Sequence, residues 1–466
     1  MIWLLLPAAI GACSTASPDS VLHGPVAPAR VVVVSGDGQQ ADPGDSLEDP
    51  VRFQVVDSAS RALAGIQVQL VVTIGGGSVP QTVVTTDSDG VAETAWTMGP
   101  AGGAQILEAR IGGKAFATVS ALTCAPDDCY PTEQLASSFS EMSLLDLATF
   151  EGSGQTVHPS VARGHGSATG FWLAITPYPG GAAMYENPSI FRSRDARAWN
   201  VPRDLANPVE LPPNNGYLSD PELVVNSDQQ LWLYYRTVQT LTIQNIIMLT
   251  RSRDGVHWDP PVTVATAPSH EIVSPAVVRG APGAPWQMWS VNSGPNGCSA
   301  SNTVVERRTS ADGVNWSPPA RTDLAQPGQV IWHIEVKWIA ALSQYWALYN
   351  TYAKGLSCAT DGLYLATSAD GTTWTVYPSP VTRAGVIDAF RHIVYRSTMM
   401  VDPRATRVTF WISGASYAQS TGYVWRTATV ATTVPTLFST ISTPTVTLAV
   451  PKDRRNLPPP EPDVGP

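Results

Sequence analysis

The sequence predicts an all-β protein, in which a small β-sandwich is followed by a five-bladed β-propeller. The chain has 466 residues, including 40 prolines, 37 glycines and 15 tryptophans. Almost no segment has the period of an amphipathic helix. Short apolar runs that alternate with polar residues fill positions 30–122, as expected of a sandwich. Beyond them one motif returns at a nearly fixed interval, which indicates a repeat architecture.

The repeated motif is Ser-x-Asp-Gly-x-x-Trp. It begins at Ser252, Ser310 and Ser368, and a looser copy begins at Ser193, so that successive copies are 59, 58 and 58 residues apart. Each unit divides into four short strands, and a fifth unit follows without the motif. Units of this length predict a five-bladed propeller over residues 151–440.

The motif is predicted to be structural. An aspartate can accept backbone N–H groups across the turn, glycine permits a positive φ, and the tryptophan can cover the gap between neighbouring sheets. The motif resembles the Asp-box of sialidase-type propellers, which implies the same structural role. The residues assigned to it are Asp195, Asp254, Asp312, Asp370, Trp199, Trp258, Trp316 and Trp374.

The predicted sandwich resembles the bacterial Ig-like domains of the invasin and intimin type. This resemblance implies a spacer or adhesion module over residues 30–122, with no chemistry of its own. The residues that carry it are Gly36 to Gln39, Gly65, Thr86 to Ala92, Trp96 and Gly99. A calcium loop at the Asp-Ser-Asp-Gly stretch is disfavoured because too few oxygen ligands follow it.

The remaining segments suggest export and tethering. Residues 1–13 form a short apolar segment that ends in Ile10-Gly11-Ala12-Cys13, which resembles the lipobox of bacterial lipoproteins. The resemblance implies acylation of Cys13 and an exported lipoprotein of the cell envelope or cell surface; a plain secretory signal is the alternative. A tether (14–29), a linker (123–150) and a proline-rich tail (441–466) complete the chain.

The cysteines fit an oxidising compartment. Without Cys13 four remain, an even number, and four cysteines allow three pairings. Cys124 and Cys129 are close enough to close a small loop. Cys298 and Cys358 are 60 residues apart, about one repeat, so they can bridge equivalent loops of adjacent units. This combination is the predicted one.

The charge distribution restricts the partners. The net charge is −10 and no basic run occurs, so a nucleic-acid surface is not expected. We expect a monomer that meets a membrane only through its lipid anchor. Aromatic rings beside amides and carboxylates in the predicted loops favour a carbohydrate ligand.

The candidate site lies where the first strand of each blade meets the propeller axis. Aligning the five strands places His158, Asp220, Ser274, His333 and Arg396 at equivalent positions. Two residues further on, on the same side because strands have period two, come Ser160, Glu222, Ala276, Glu335 and Thr398. Such charged groups near an axis favour a functional site, with a polar plug between the strands as the alternative.

The propeller resembles arabinanase- and xylosidase-type glycosidases of glycoside hydrolase family 43. The resemblance rests on Ser-Asp-Pro-Glu-Leu-Val-Val at 219–225, Leu-Trp-Leu-Tyr-Tyr-Arg at 231–236, the five blades and the turns. It implies a catalytic carboxylate in each of three blades. Asp220 matches the second-blade aspartate, but His158 and Ser274 occupy the other two positions.

A hydrolase would therefore need a relocated pair, since glycoside hydrolysis uses two carboxyls. Glu335 is predicted as the acid and Asp220 or Glu222 as the base, with Glu186 in reserve. The predicted substrate-binding residues are His158, Tyr178, Tyr185, Glu186, Asn187, Arg236, Asn292, His333 and Arg396. A non-catalytic glycan-binding propeller and a surface adhesion protein are the alternatives. No metal cluster has convincing spacing, and no cofactor is expected beyond a structural calcium ion near the axis.

Overall fold

The computed structural model describes residues 27–444, apart from 48, 101, 124–133, 165–169 and 281–282, and also residues 457–460. The predicted lipidation site Cys13 and the predicted Cys124–Cys129 pair lie outside the described residues. Within the described residues, no helix has the length and apolar character needed to cross a bilayer.

The N-terminal unit consists of two packed sheets. The smaller sheet contains β1 (Arg30–Ser35), β3 (Val51–Val56) and β6 (Val91–Thr94). The larger sheet contains β2 (Gln39–Ala41), β4 (Gln67–Ile74), β5 (Val83–Thr85), β7 (Gly103–Ile111) and β8 (Lys114–Thr123). Phe53 and Trp96 are fully buried in the core between them.

Five further sheets form the blades of the propeller, which confirms the predicted fold class. The first contains β10 (Thr156–Gly164), β11 (Gly170–Pro177) and β12 (Ser189–Ser193). The second contains β13 (Gly216–Val225), β14 (Leu231–Gln239), β15 (Gln244–Ser252) and β16 (Val262–Pro268). The third contains β17 (Val273–Arg279), β18 (Trp286–Asn292), β19 (Val304–Ser310) and β20 (Ala320–Arg321). The fourth contains β21 (Gln329–Ile339), β22 (Gln344–Ala353), β23 (Gly362–Ser368), β24 (Thr375–Val376) and β25 (Thr382–Arg383).

The fifth blade closes the ring with help from the linker. It contains β26 (Ile393–Val394), β27 (Thr398–Val401), β28 (Arg407–Ala418), β29 (Gly422–Thr433) and, as its outermost strand, β9 (Ser143–Leu144). A strand from before the first blade thus pairs with the last strand of the last blade. This pairing ties the two ends of the propeller together.

Helical structure is short and peripheral. Helix α1 (Val434–Ser442) packs Leu437 and Ile441 into the core of the last two blades, so the predicted boundary at residue 440 falls inside it. Short 3₁₀ segments span Phe139–Glu141, Ala183–Tyr185, Gly294–Ser299 (with a kink at Gly297), Ala340–Leu342 and Asp388–Phe390.

The repeated turns join neighbouring blades. In the third blade Asp312 accepts the backbone N–H groups of residues 314 and 315 at 2.9 and 2.8 Å. Gly313 has φ 73° and its carbonyl accepts a hydrogen bond from Tyr234 of the preceding blade at 2.8 Å. Trp316 contacts the same tyrosine edge-on, with ring centroids 6.4 Å apart. The turn therefore closes its own hairpin and also binds the blade before it.

The innermost strands of three blades share a bulge. His158, Asp220 and Ser274 have φ values of 59°, 50° and 58°, each stands directly before a proline, and the strand register shifts at each. A proline has no N–H to give to the neighbouring strand, so a break in the ladder is expected there. The bulge turns each of these side chains towards the axis.

Candidate active site

The first level of the axis holds two histidines around one aspartate. Nε2 of His158 lies 3.6 Å from Oδ1 of Asp220, and Nδ1 of His333 lies 3.3 Å from the same oxygen. All three side chains are at most 1% exposed. They come from blades one, two and four, so only closure of the propeller brings them together.

His158 is held in place by a carboxylate. Its Nδ1 lies 2.9 Å from Oε1 of Glu186, an oxygen that also accepts a hydrogen bond of 2.6 Å from the hydroxyl of Ser219. Because an ionised carboxylate only accepts, a neutral His158 carries its proton on Nδ1. The lone pair on Nε2 is then directed towards Asp220.

Asp220 is held as an anion. Its Oδ2 lies 2.7 Å from Nε of Arg236 and accepts the backbone N–H of Ser274 at 3.1 Å. Burial raises the pKa of this carboxyl, but the charges of Arg236, His333 and His158 outweigh that effect and hold the pKa well below its usual range. With Oδ2 held by these two donors, Oδ1 remains directed at the histidines.

Tyr395 forms a wall of this site that the sequence analysis did not identify. Its ring centroid lies 4.6 Å from that of His333 and 5.5 Å from that of His158. Its hydroxyl accepts a hydrogen bond from Nε1 of Trp332 at 2.9 Å. In the alignment of the five inner strands, Tyr395 directly precedes Arg396. This position was the one feature of the sequence that could have identified Tyr395 as part of the site.

The donor set fits a divalent metal ion. His158, Asp220 and His333 each offer one ligand atom, and these atoms all lie within 4.8 Å of one another. Ligands of one ion with bonds of about 2.1 Å are separated by about 3.0–3.5 Å, close to the 3.6 and 3.3 Å between Asp220 and the two histidines. A carboxylate on the second nitrogen of a ligating histidine is also typical of such sites.

The sequence analysis found no metal cluster with convincing spacing, whereas the structure brings three potential ligands together. The three donors are separated by 62 and 113 residues along the chain, so no ligand spacing characteristic of a local motif exists. The alignment of inner strands placed His158, Asp220 and His333 at one level, but it was interpreted as a set of carboxylates with polar neighbours.

Glu222 and Glu335 belong to a second, deeper level. Nη2 of Arg396 lies 2.9 Å from Glu222 and 3.3 Å from Glu335, and Nζ of Lys337 lies 3.3 Å and 2.5 Å from the same two carboxyls. The hydroxyls of Ser160 and Thr398 complete this level by donating to Glu222 and Glu335 at 3.1 and 2.9 Å.

The pKa values of the two carboxyls of the deeper level are shifted in opposite directions. Burial, followed by the charge of Glu335, raises the pKa of Glu222 to about 8. Burial also raises the pKa of Glu335, but Lys337 and Arg396 outweigh it and bring that pKa below its usual value. At neutral pH a protonated Glu222 beside an ionised Glu335 therefore describes the pair best.

The other predicted binding residues are dispersed. Tyr178 is fully buried and Tyr185 half-buried, whereas the amide of Asn187 donates to the carbonyl of Met184 at 3.1 Å. The amide of Asn292 donates to Glu306 at 3.2 Å. Of this group, Glu186 and Arg236 contact the histidine–aspartate cluster directly, and Arg396 belongs to the deeper level.

The predicted rim disulfide is present. Cys298 and Cys358 are bonded, with Cα atoms 4.8 Å apart. The bond joins the loop between β18 and β19 to the loop between β22 and β23. It thus links the third and fourth blades, as the interval of one repeat predicted.

Comparison with known proteins gives a distant relative. No family model matches the chain. A curated protein of Flavonifractor plautii, an A type blood N-acetyl-α-D-galactosamine deacetylase, is 26% identical over 355 residues, which cover 64% of this chain and 45% of that protein. The chain thus aligns with less than half of the length of this relative.

One solved structure supports the fold, and a second has a lower similarity. An N-acetylgalactosamine deacetylase of F. plautii, in complex with blood group B trisaccharide, superposes with a TM-score of 0.57 at 22% identity, over 67% of this chain and 97% of that one. An α-L-arabinofuranosidase of Fusarium graminearum has a TM-score of 0.44 at 13% identity, over 62% and 97% of the two chains. The chain is similar to carbohydrate-active propeller proteins.

Proposed function

We propose that this protein is a metal-dependent hydrolase that removes the acetyl group from an N-acetylated carbohydrate. The observation that carries the proposal is the convergence of His158, Asp220 and His333 around one point, with donor separations suited to a single divalent ion. The activity of the curated relative supports the same reaction class.

In this proposal, each side chain of the cluster and around it has a separate role. His158, Asp220 and His333 would hold the ion, which supplies Lewis acidity for an amide carbonyl and for water. Glu186 fixes the ring of His158 through Nδ1. Arg236 and the Ser274 backbone fix Asp220 through Oδ2. Tyr395 excludes water from one side of the histidines.

The relocated glycosidase pair suggested by the sequence fits less well. Glycosidase carboxyls are separated by about 5–5.5 Å or about 6.5–9.5 Å, so that a sugar or a water fits between them. Glu222 and Glu335 interact directly, and both are fully buried between Arg396 and Lys337. In this proposal they form the polar plug that ties the inner strands together.

The lipobox-like end at Cys13 supports action on carbohydrate outside the cytoplasm. In this proposal the N-terminal sandwich is a spacer between a lipid anchor and the propeller. Labelling of Cys13 with a fatty-acid analogue during expression, with Cys13→Ala as control, tests the anchor separately from the activity.

Acetate release tests the proposed reaction. The metal-stripped protein, reloaded with Zn²⁺ or Mn²⁺, is incubated with oligosaccharides that carry N-acetylgalactosamine or N-acetylglucosamine, and with arabinan as a substrate without acetamido groups. We expect acetate without shortening of the oligosaccharide, and no product from arabinan. His333→Ala should lower the rate by about 100-fold or more, because a ligand is lost.

The alternatives give different results. New reducing ends without acetate would establish a glycosidase and overturn the proposal. Retention of an oligosaccharide on the immobilised protein, with neither product, would establish a glycan-binding propeller. Equal acetate release by wild type and His333→Ala would contradict the assigned site.

A further inference from the structure

A short proline-rich segment lies against the seam between the first and fifth blades. The hydroxyl of Tyr178 donates to the carbonyl of Pro460 at 2.7 Å, and the hydroxyl of Tyr423 donates to the carbonyl of Pro458 at 2.6 Å. Proline offers a carbonyl acceptor and an apolar ring but no N–H. Aromatic grooves with outward hydroxyl donors therefore suit proline-rich chains.

The aromatic side chains that hold this segment pack against the wall of the candidate active site. The ring of Trp425 lies 5.3 Å from Tyr178, 5.7 Å from Tyr423 and 5.1 Å from Tyr395, measured between centroids. Tyr395 in turn contacts both histidines of the cluster, as described above. Leu457 packs against this same group of rings. A continuous path of aromatic contacts thus runs from the segment to His158 and His333.

Within the part of the chain that the structure describes, the segment is held by a small set of contacts. Pro460 is buried and Leu457 half-buried, but Pro458 and Pro459 are exposed. The two hydrogen bonds, the Leu457 side chain and the buried Pro460 ring correspond to a modest intramolecular affinity, since each neutral hydrogen bond contributes little net stability. The side chains of His158, Asp220 and His333, by contrast, are at most 1% exposed in this structure, which contains the segment.

We propose that Leu457–Pro460 is a displaceable strap: it occupies a proline-binding groove formed by Tyr178, Tyr423 and Trp425, and it limits access to the two histidines. A proline-rich peptide added in solution occupies the same groove when the strap is released. The strap does not depend on the proposed reaction, because none of its tests requires catalysis.

Peptide binding tests the groove. The probe is a fluorescein-labelled peptide with the sequence of residues 456–462, Asn-Leu-Pro-Pro-Pro-Glu-Pro, followed by fluorescence anisotropy. We expect it to bind a protein that ends at residue 456, and to bind the full chain at least about tenfold more weakly, because the strap competes. Tyr178→Phe with Tyr423→Phe in the shortened protein should weaken binding by roughly tenfold.

A second variant guards against misfolding of the shortened protein. Leu457→Asp in the full chain places a charge against the aromatic groove and should release the strap while every residue remains. The labelled peptide should then bind this variant about as well as it binds the shortened protein. A peptide that carries the same Leu-to-Asp change is the matched control and should bind neither.

Chemical modification tests access to the site. Diethyl pyrocarbonate modifies neutral imidazoles, and mass spectrometry follows each histidine separately. His158 and His333 should react about tenfold faster once the strap is released. His257, whose side chain is 86% exposed on a distant turn, should react equally in all proteins.

The experiments test the groove and the control of access separately. Peptide binding that is equal in the full and released proteins, or absent from all of them, would overturn the groove. Peptide binding as expected with unchanged rates at His158 and His333 would overturn the control of access, and the segment would then only join the two blades.

Discussion

His158, Asp220 and Ser274 share a left-handed backbone conformation, each directly before a proline. Residues before proline prefer extended backbone, and a positive φ is costly for residues other than glycine. Strain of this kind is retained where surrounding structure enforces it, often at functional sites. Here it accompanies two of the three proposed metal ligands, and Ser274 supplies the N–H that fixes Asp220.

At the same scale, Glu222 yields a prediction about pH. Its pKa of about 8 is raised above the ordinary value, so the folded protein retains a proton that the unfolded chain loses. Its stabilising contribution is complete below the unfolded pKa, near 4.5, and is lost as the pH rises through the folded value. The free energy of unfolding should therefore decrease between about pH 5 and about pH 8, by up to about 1.4 kcal/mol per pH unit.

Glu222→Gln checks this. The amide stands in for the protonated acid, so the variant should show a flatter profile in urea unfolding over the same range. Asp220 and Glu335 have lowered pKa values, so their contributions are lost only under more acidic conditions. A slope that is equal in wild type and variant would assign the pH dependence to another group.

Individual residues also show which features of the site the sequence could not predict. Strand periodicity placed His158, Asp220 and His333 at one height and Glu222 and Glu335 two residues further along, and the side chains of each set interact in the structure. The same alignment placed Arg396 with the first set, but its guanidinium lies against Glu222 and Glu335. Periodicity gives no distances, however. Whether an acid faces a cation or an imidazole depends on rotamers and on bulges, and so Lys337 and Tyr395 escaped notice.

At the scale of the element, the packing of the repeated turn explains why its fourth residue is a glycine. A Cβ at Gly313 would lie 2.7 Å from the ring of Trp232, in the preceding blade, and the same clash arises at Gly371 with Trp289. The looser copy in the first blade has Ala196 at this point, with φ 62°. An alanine is therefore accommodated where the first blade meets the fifth, but not between the second and third.

Gly313→Ala should therefore reduce the free energy of unfolding by about 2–4 kcal/mol, since both the positive φ and the clash act against it. Ala196→Gly is the matched control: relief of backbone strain and loss of a buried methyl oppose each other, and the change should stay within about 1 kcal/mol. Urea unfolding followed by tryptophan fluorescence measures both. Similar effects of the two substitutions would mean that the contact with Trp232 is unimportant.

At the scale of the whole molecule, composition and the lack of helical periodicity predicted the all-β class, and the repeat interval predicted the five blades and the rim disulfide. The partner of β9, a strand from the linker that completes the fifth blade, lies far away in the sequence. Strand partners that are remote in sequence leave no local pattern. The same holds for the metal ligands, which only ring closure brings together.

The disulfide should stabilise the ring as a whole. Cys298 and Cys358 enclose 60 residues of sequence separation, for which the constraint on the unfolded chain is worth about 2–4 kcal/mol. Cys298→Ser with Cys358→Ser should lower the urea midpoint of unfolding. Cys124→Ser with Cys129→Ser, which removes the other predicted pair, should lower the midpoint less, because that pair closes a much shorter loop. An unchanged midpoint after loss of Cys298 and Cys358 would contradict the proposed stabilisation.

The most direct measurement of the central claim is metal stoichiometry. Zn²⁺ binding to the metal-stripped protein is followed by isothermal titration calorimetry for wild type, His333→Ala and Ser274→Ala. Ser274 occupies the equivalent position in the third blade. Its backbone N–H donates to Asp220 and is kept in Ser274→Ala, which loses only the hydroxyl that donates to the carbonyl of Ile334, so this variant is the matched control. We predict one ion per chain for wild type and for Ser274→Ala, and affinity lower by about 100-fold or more for His333→Ala. No binding by wild type, or equal binding by His333→Ala, would contradict the account.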